Sequence, residues 1–137
     1  MGVTYLLDTN AWAAYLNRSD SSVAKKVAQI GASDIRLCSI VKAELLYGAH
    51  KSARRDANLQ LLARLFSGFS SVPFGDSAAD HYGRIRAELA HAGTPIGPND
   101  LLIAAIALAD QLTLVTHNVR EFSRVPGLSV EDWHVSP

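Results

Sequence analysis

Short apolar runs bounded by turn residues alternate along the chain with stretches whose apolar residues recur every three or four positions. The runs at Tyr5 to Leu7, Ile35 to Cys38, Ser71 to Phe74, Leu112 to Thr116 and Leu128 to Val130 predict five strands. Helical spacing predicts helices over Asn10 to Leu16, Ser22 to Ile30, Ile40 to His50, Asp56 to Phe69, Asp76 to Ala92 and Asn99 to Ala109. Asp76 reads as the N-cap of its helix, with Ala79, Tyr82, Ile85 and Leu89 following at helical intervals. Alternation of this kind predicts an α/β fold, a parallel sheet covered on both faces by helices. No internal repeat interrupts it, and Gly93 to Pro98 is a loop too short to link domains, so a single domain over residues 1–137 is expected.

Composition narrows this picture. Apolar residues make up 48% of the chain and charged residues 19%, enough to pack a core without disulfides or a structural metal. The one cysteine, Cys38, lies in an apolar run and reads as a small core residue, as suits a reducing cytoplasm. Met1-Gly2-Val3 carries no basic leader, and the apolar stretch Leu101 to Ala109 falls far short of the roughly 20 residues needed to span a bilayer. A soluble cytoplasmic protein is expected. Net charge is zero, with 13 basic and 13 acidic residues, so no global field announces a nucleic-acid partner. Lys42, Lys51, Arg54 and Arg55 form the one notable basic cluster, which alone would be a solvated face.

The candidate chemistry is acidic. In open α/β sheets, ligands bind beyond the carboxyl ends of the strands. Asp8 ends the first strand, Glu44 lies in the first turn or so of the helix after the second, Asp100 opens an almost wholly apolar helix, and Thr116-His117-Asn118 follows the fourth strand. Singly, Asp8 or Asp100 is an N-cap and Glu44 a carboxylate favoured by the helix dipole. Together, three carboxylates in apolar surroundings at one sheet edge repel one another and lose hydration, a conflict that a shared cation resolves. The five histidines are scattered and no His or Cys pair stands at zinc-ligand spacing, so oxygen ligands point to Mg²⁺ or Mn²⁺ and to phosphate chemistry. With Asp8 at the site, Asn10 is the expected helix cap. A phosphoacceptor receiver domain fits poorly, since Asp8 stands alone, and a haloacid-dehalogenase-type phosphatase wants an acid where Asn10 stands.

Four stretches in this order resemble the PIN-domain ribonucleases, and within them the VapC toxins of VapBC modules. They are Leu7 to Asn10, Glu44 to Gly48, Ile96 to Ala105 and Leu114 to Phe122, joined by the closing Val125 to Leu128 and Glu131 to Trp133. The resemblance implies a three-layer α/β/α fold with a central parallel sheet of about five strands. It further implies a Mg²⁺- or Mn²⁺-dependent endoribonuclease, the toxin of a type II module, that inhibits translation by cutting RNA. The partners implied are a cognate VapB-type antitoxin, a second copy in a homodimer within a larger toxin-antitoxin complex, and DNA only through the antitoxin. By position Asp8, Glu44 and Asp100 resemble the metal-binding carboxylates and Thr116 the site hydroxyl. The likeness to enteric-type VapC proteins implies the anticodon stem-loop of initiator tRNA as substrate. One departure is Asn118, where many PIN domains carry a fourth acid; Glu121, three residues on, can supply that carboxylate through a water if the stretch is helical.

Arg120 and Arg124 flank the Thr116 motif, and with Lys42, Lys51, Arg54 and Arg55 they are candidate RNA contacts ringing the acids. Two rivals stand beside this reading. One is metal-free cleavage through the RNA 2′-hydroxyl with His117 or His50 as base. The other is a non-catalytic RNA- or protein-binding module, to which clustered carboxylates would bring nothing. Leu16 and Leu45 read as core, whereas Trp12 and Tyr47 suit either core or a contact with a second copy or the antitoxin.

Overall fold

The computed structural model describes residues 2–134, so Met1 and residues 135–137, the ends of the expected domain and leader readings, lie outside the described residues. The strands are β1 (Tyr5–Leu7), β2 (Ile35–Cys38), β3 (Ser70–Val72), β4 (Thr113–Val115) and β5 (Val130–Glu131). The helices are α1 (Thr9–Asn17), α2 (Ser22–Ile30), α3 (Ser39–Lys51), α4 (Arg55–Gly68), α5 (Asp76–Ala92), α6 (Pro98–Ala109) and a short α7 (Val119–Phe122). All strands pair in parallel in the order β3-β2-β1-β4-β5. The first strand is thus the central one, and the connections turn to opposite sides from it.

That order follows from the apolar patterning. Leu6 and Leu7 are both fully buried, as a strand covered on both faces requires, and Leu37, Cys38, Leu114 and Val115 flank them in the same state. Helix α6 presents Ile103, Ala104, Ala105, Ile106 and Ala107 to the interior, buried nearly all round; small alanines let it lie close to its neighbours. Cys38 is core, as its apolar run indicates. Trp12 is fully buried against Tyr15 and Phe69, with ring centroids 5.5 and 4.8 Å away, so it belongs to the core and offers no docking surface. Tyr47 is 66% exposed, its ring under the Lys51 ammonium at 5.0 Å. Leu16 and Leu45 pack half-buried against the core.

Element boundaries moved by one or two residues at most ends. Two caps changed identity. Helix α1 begins at Thr9 and is capped by Asp8, whose carboxylate accepts the Ala11 N–H at 2.9 Å, so Asn10 is inside the helix and is not the cap. Helix α5 is capped by Gly75, which leaves Asp76 as a first-turn acid favoured by the helix dipole. At its far end Gly93 takes φ 73°, and its N–H and that of Thr94 reach back to the Ala90 and Leu89 carbonyls, a left-handed stop that only glycine adopts without strain. The loop that follows delivers the chain to Gly97 and the start of α6. No helix among the described residues is long and apolar enough to cross a membrane.

Candidate active site

The central position of β1, with β2 on one side and β4 on the other, opens a crevice beyond the strand ends. Asp8 stands at its floor, its own N–H bonded to the Val115 carbonyl of β4 at 3.0 Å, which fixes it between the two strands. It is 6% exposed. Burial pushes its carboxyl above the usual range, against the opposing pull of the Thr116 hydroxyl and the Ala11 N–H, while Glu44 pushes it up further. Asp8 is therefore both cap and site.

Glu44 is the sixth residue of α3, in its second turn, deeper than a first-turn position. This depth removes it from the helix dipole and gives it partners from other elements. Thr9 of α1 donates to Oε1 at 2.5 Å, and Asn99 of α6 donates to Oε2 at 3.2 Å. Asp100 follows at once on α6, half-buried. Its carboxyl is pushed up to about 7, first by burial, then by the charge and hydrogen bond of Glu121 and by Asp8 and Glu44. Asp100 thus feels three other carboxylates, each from a different part of the chain.

Glu121 is a direct member of this group. Its Oε1 accepts the Gly97 N–H at 2.9 Å and its Oε2 accepts the Asn118 side-chain amide at 2.7 Å. The Gly97 hydrogen bond above all holds its carboxyl below the usual range. Asp100 Oδ2 and Glu121 Oε1 both lie under 4 Å from where a Gly97 side chain would begin, which places the two carboxylates side by side. The expectation of a water-mediated role for Glu121 understates its position, because the turn of α7 delivers it directly. Asn118 points its amide at Glu121 and donates its N–H to Thr116 Oγ1 at 3.0 Å, so it orients an acid and does not replace one. Thr116 is fully buried at the end of β4.

The donor set suits a hard divalent cation. It consists of carboxylate oxygens with a hydroxyl, Asp8 and Asp100 are pushed up by burial and by neighbouring carboxylates, and a cation is the group that would relieve both effects. The basic residues divide. Arg54, Arg55, Arg120 and Lys51 are exposed, whereas Lys42 is half-buried with its ammonium 4.9 Å over the Phe66 ring. Arg124 donates to the Pro95 carbonyl at 3.2 Å and braces the loop before α6. His50 is exposed on the last turn of α3. His117 is not isolated: its Nδ1 lies 3.0 Å from Asp132, beside His134. The expectation of scattered histidines fails here because β5 returns the end of the chain to the corner after β4, a neighbourhood that spacing in sequence does not reveal.

An acidic, hydroxyl-bearing crevice thus lies at the switch point of a five-stranded parallel sheet in an α/β protein. Comparison with known proteins gives the family. The PIN-domain pattern matches residues 5–128, and the chain belongs to the PIN-domain family, among the VapC proteins. It is 38% identical over 129 residues to the tRNA(fMet)-specific endonuclease VapC of Salmonella typhimurium, covering 94% of this chain and 97% of that one. It is likewise 38% identical over 130 residues to ribonuclease VapC2 of Rickettsia felis, at the same coverage. Its fold superposes with a TM-score of 0.90 on the DNA-bound VapBC structure from Salmonella typhimurium, at 37% identity over 96% of this chain and 99% of that one. The VapBC2 structure from Rickettsia felis, bound to a promoter DNA fragment, matches with a TM-score of 0.89 and 38% identity over 96% of this chain and 99% of that one.

Proposed function

We propose that this protein is the toxin of a type II toxin-antitoxin module, a Mg²⁺- or Mn²⁺-dependent endoribonuclease acting in the cytoplasm. The observation that carries the reading is the convergence of Asp8, Glu44, Asp100 and Glu121, with the Asp100 carboxyl raised to about 7 by burial first and then by these neighbours. Asp8 and Asp100 would hold the cation, with Glu44 and Glu121 completing its surroundings directly or through water. A divalent ion held there would supply positive charge to the phosphoryl oxygens and lower the pKa of a nearby water. Glu44, fixed by Thr9 and Asn99, presents its oxygens in a set direction and would orient an attacking water in line with the leaving oxygen. The Thr116 hydroxyl favours the charged form of Asp8, and the Asn118 amide keeps Glu121 aimed at Asp100. Hydrolysis leaves a 3′-hydroxyl on one fragment and a 5′-phosphate on the other.

Exposed Lys51, Arg54, Arg55 and Arg120 are proposed to hold flanking phosphates that the acids repel. Likeness to a tRNA(fMet)-specific endonuclease makes the initiator tRNA anticodon stem-loop the proposed substrate. Likeness to VapBC complexes makes a VapB-type antitoxin the proposed partner, with DNA bound through it, and a homodimer the proposed toxin unit. The deciding experiment is cleavage of initiator tRNA by the wild type with and without divalent ions, beside Asp8→Ala and Asp100→Ala. Activity that needs the ion, is lost in both variants and leaves 5′-phosphate ends supports the reading. Chelator-resistant activity with cyclic phosphate ends would move the chemistry to the RNA 2′-hydroxyl with His117 or His50 as base. Binding without cleavage would make the protein a non-catalytic module.

A further inference from the structure

A second group of ligand-bearing side chains lies beside the acidic crevice. His117, Asp132 and His134 each offer a ligand atom within 4.8 Å of the others. His117 Nδ1 is 3.0 Å from Asp132 Oδ2, and His134 Nδ1 is 3.4 Å from Asp132 Oδ1. A tetrahedral ion with bonds of about 2.0–2.1 Å places neighbouring ligand atoms about 3.3–3.5 Å apart. The His134 Nδ1–Asp132 Oδ1 pair already has that separation, while His117 Nδ1 meets the other carboxylate oxygen and its exposed ring must turn for it to share an ion with them. The imidazoles lie face to tilted face, centroids 4.9 Å apart at 40°. His134 Nδ1 is buried from solvent and makes no hydrogen bond, despite its closeness to Asp132. A buried imidazole nitrogen without a partner is a costly state that a ligated ion removes.

The supports are fixed from two directions. Trp133 is buried against Tyr5 of β1, centroids 5.0 Å apart, and its indole N–H donates to Glu131 at 3.0 Å. The Thr116 N–H is bonded to the Glu131 carbonyl at 2.9 Å, which ties the corner carrying His117 to the segment carrying Asp132 and His134. Asp132 Oδ1 further accepts the His134 N–H at 2.9 Å, so the carboxylate is oriented before any ion arrives.

We propose that His117, Asp132 and His134 form a separate binding site for a zinc-class transition ion, distinct from the oxygen-ligand site at Asp8 and Asp100. Two imidazoles and one carboxylate select Zn²⁺, Co²⁺ or Ni²⁺ over Mg²⁺, whose preferred ligands are oxygen. The ion clamps the corner after β4 to the chain beyond β5 and stabilises the folded toxin.

The test uses the full chain, stripped with chelator and titrated with Co²⁺ in the presence of excess Mg²⁺. One equivalent should bind with the strong visible absorption of a low-coordinate Co²⁺ site, be displaced by Zn²⁺, and survive in Asp100→Asn. His117→Gln and His134→Gln should each weaken it at least tenfold, and Zn²⁺ added over saturating Mg²⁺ should raise the thermal midpoint further, an increment these two variants abolish. Absence of Co²⁺ binding, its displacement by Mg²⁺, or its loss in Asp100→Asn with retention in both histidine variants would overturn the proposal.

Discussion

Asp100→Asn separates what the fold needs from what the site needs. Asp100 ordinarily titrates near 3.8 and is pushed up to about 7 in the folded chain by burial and by Glu121, Asp8 and Glu44. The folded carboxyl therefore holds its proton more tightly than the unfolded one, so rising pH works against the fold between about 4 and about 7 and no further above. At about 1.36 kcal/mol per pH unit, the displacement has an upper bound near 4 kcal/mol. Asp100 is half-buried and shares its proton with Glu121, and solvent screening reduces the expected effect to about 1–2 kcal/mol. An amide of the same shape removes the charge and can still donate to Glu121. Metal-free Asp100→Asn should match the wild type at pH 4 and exceed it by about 1–2 kcal/mol, or about 3–6 °C in thermal midpoint, at pH 8. Mg²⁺ should stabilise the wild type and leave the variant unmoved. Thermal unfolding of chelator-stripped protein at the two pH values reads both effects. An equal advantage at pH 4 and pH 8, or a variant less stable than the wild type at pH 8, would refute the argument from carboxylate crowding.

Asn118→Asp exchanges a 2.7 Å hydrogen bond to Glu121 for a repulsion, so the metal-free protein should lose about 1 kcal/mol while calorimetry shows tighter Mn²⁺ binding. Unchanged affinity and stoichiometry would count against a cation at this position. Thr9→Val frees Glu44 Oε1 on one side; RNA cleavage should fall about tenfold while stability to urea changes by no more than about 1.5 kcal/mol. Removing Arg54 and Arg55 together should flatten the salt dependence of RNA binding by up to about 1.4 in log–log slope, and an unchanged slope would return them to an ordinary solvated face. Trp12→Ala should cost about 3–5 kcal/mol in chemical denaturation, as befits core, in contrast to a small effect at exposed Tyr47.

The sheet was legible because its strands are buried on both faces and announce themselves as unbroken apolar runs. Leu6-Leu7 and Leu114-Val115 allow no other placement. Asp8, Glu44, Asp100 and Thr116 were visible only as a set, since each acid alone reads as a cap or a dipole-favoured carboxylate and only their gathering at one sheet edge, with the family resemblance, singles them out. What stayed hidden depends on distance in space. That Asp8 caps α1 and serves the crevice together depends on a backbone turn one residue earlier than periodicity suggests. Glu121 reaches Asp100 directly because a single turn of helix, too short to show a period, lifts it toward Gly97. Trp12 was ambiguous because its partner Phe69 comes from the end of α4, and His117 looked solitary because His134 returns to it only through the pairing of β4 with β5.

The central place of β1 has a consequence for synthesis. Tyr5 to Leu7 leave the ribosome first, yet their β4 partners at Thr113 to Val115 follow more than a hundred residues later. At about 5–20 residues per second, that interval is on the order of ten seconds. Until β4 docks, Asp8 lacks the wall that carries Thr116, and Glu121 has not yet been made. A nascent chain therefore holds only part of the acidic crevice. The acidic crevice closes late and nearly all at once, so the endonuclease activity proposed for it would appear only after β4 and α7 are in place.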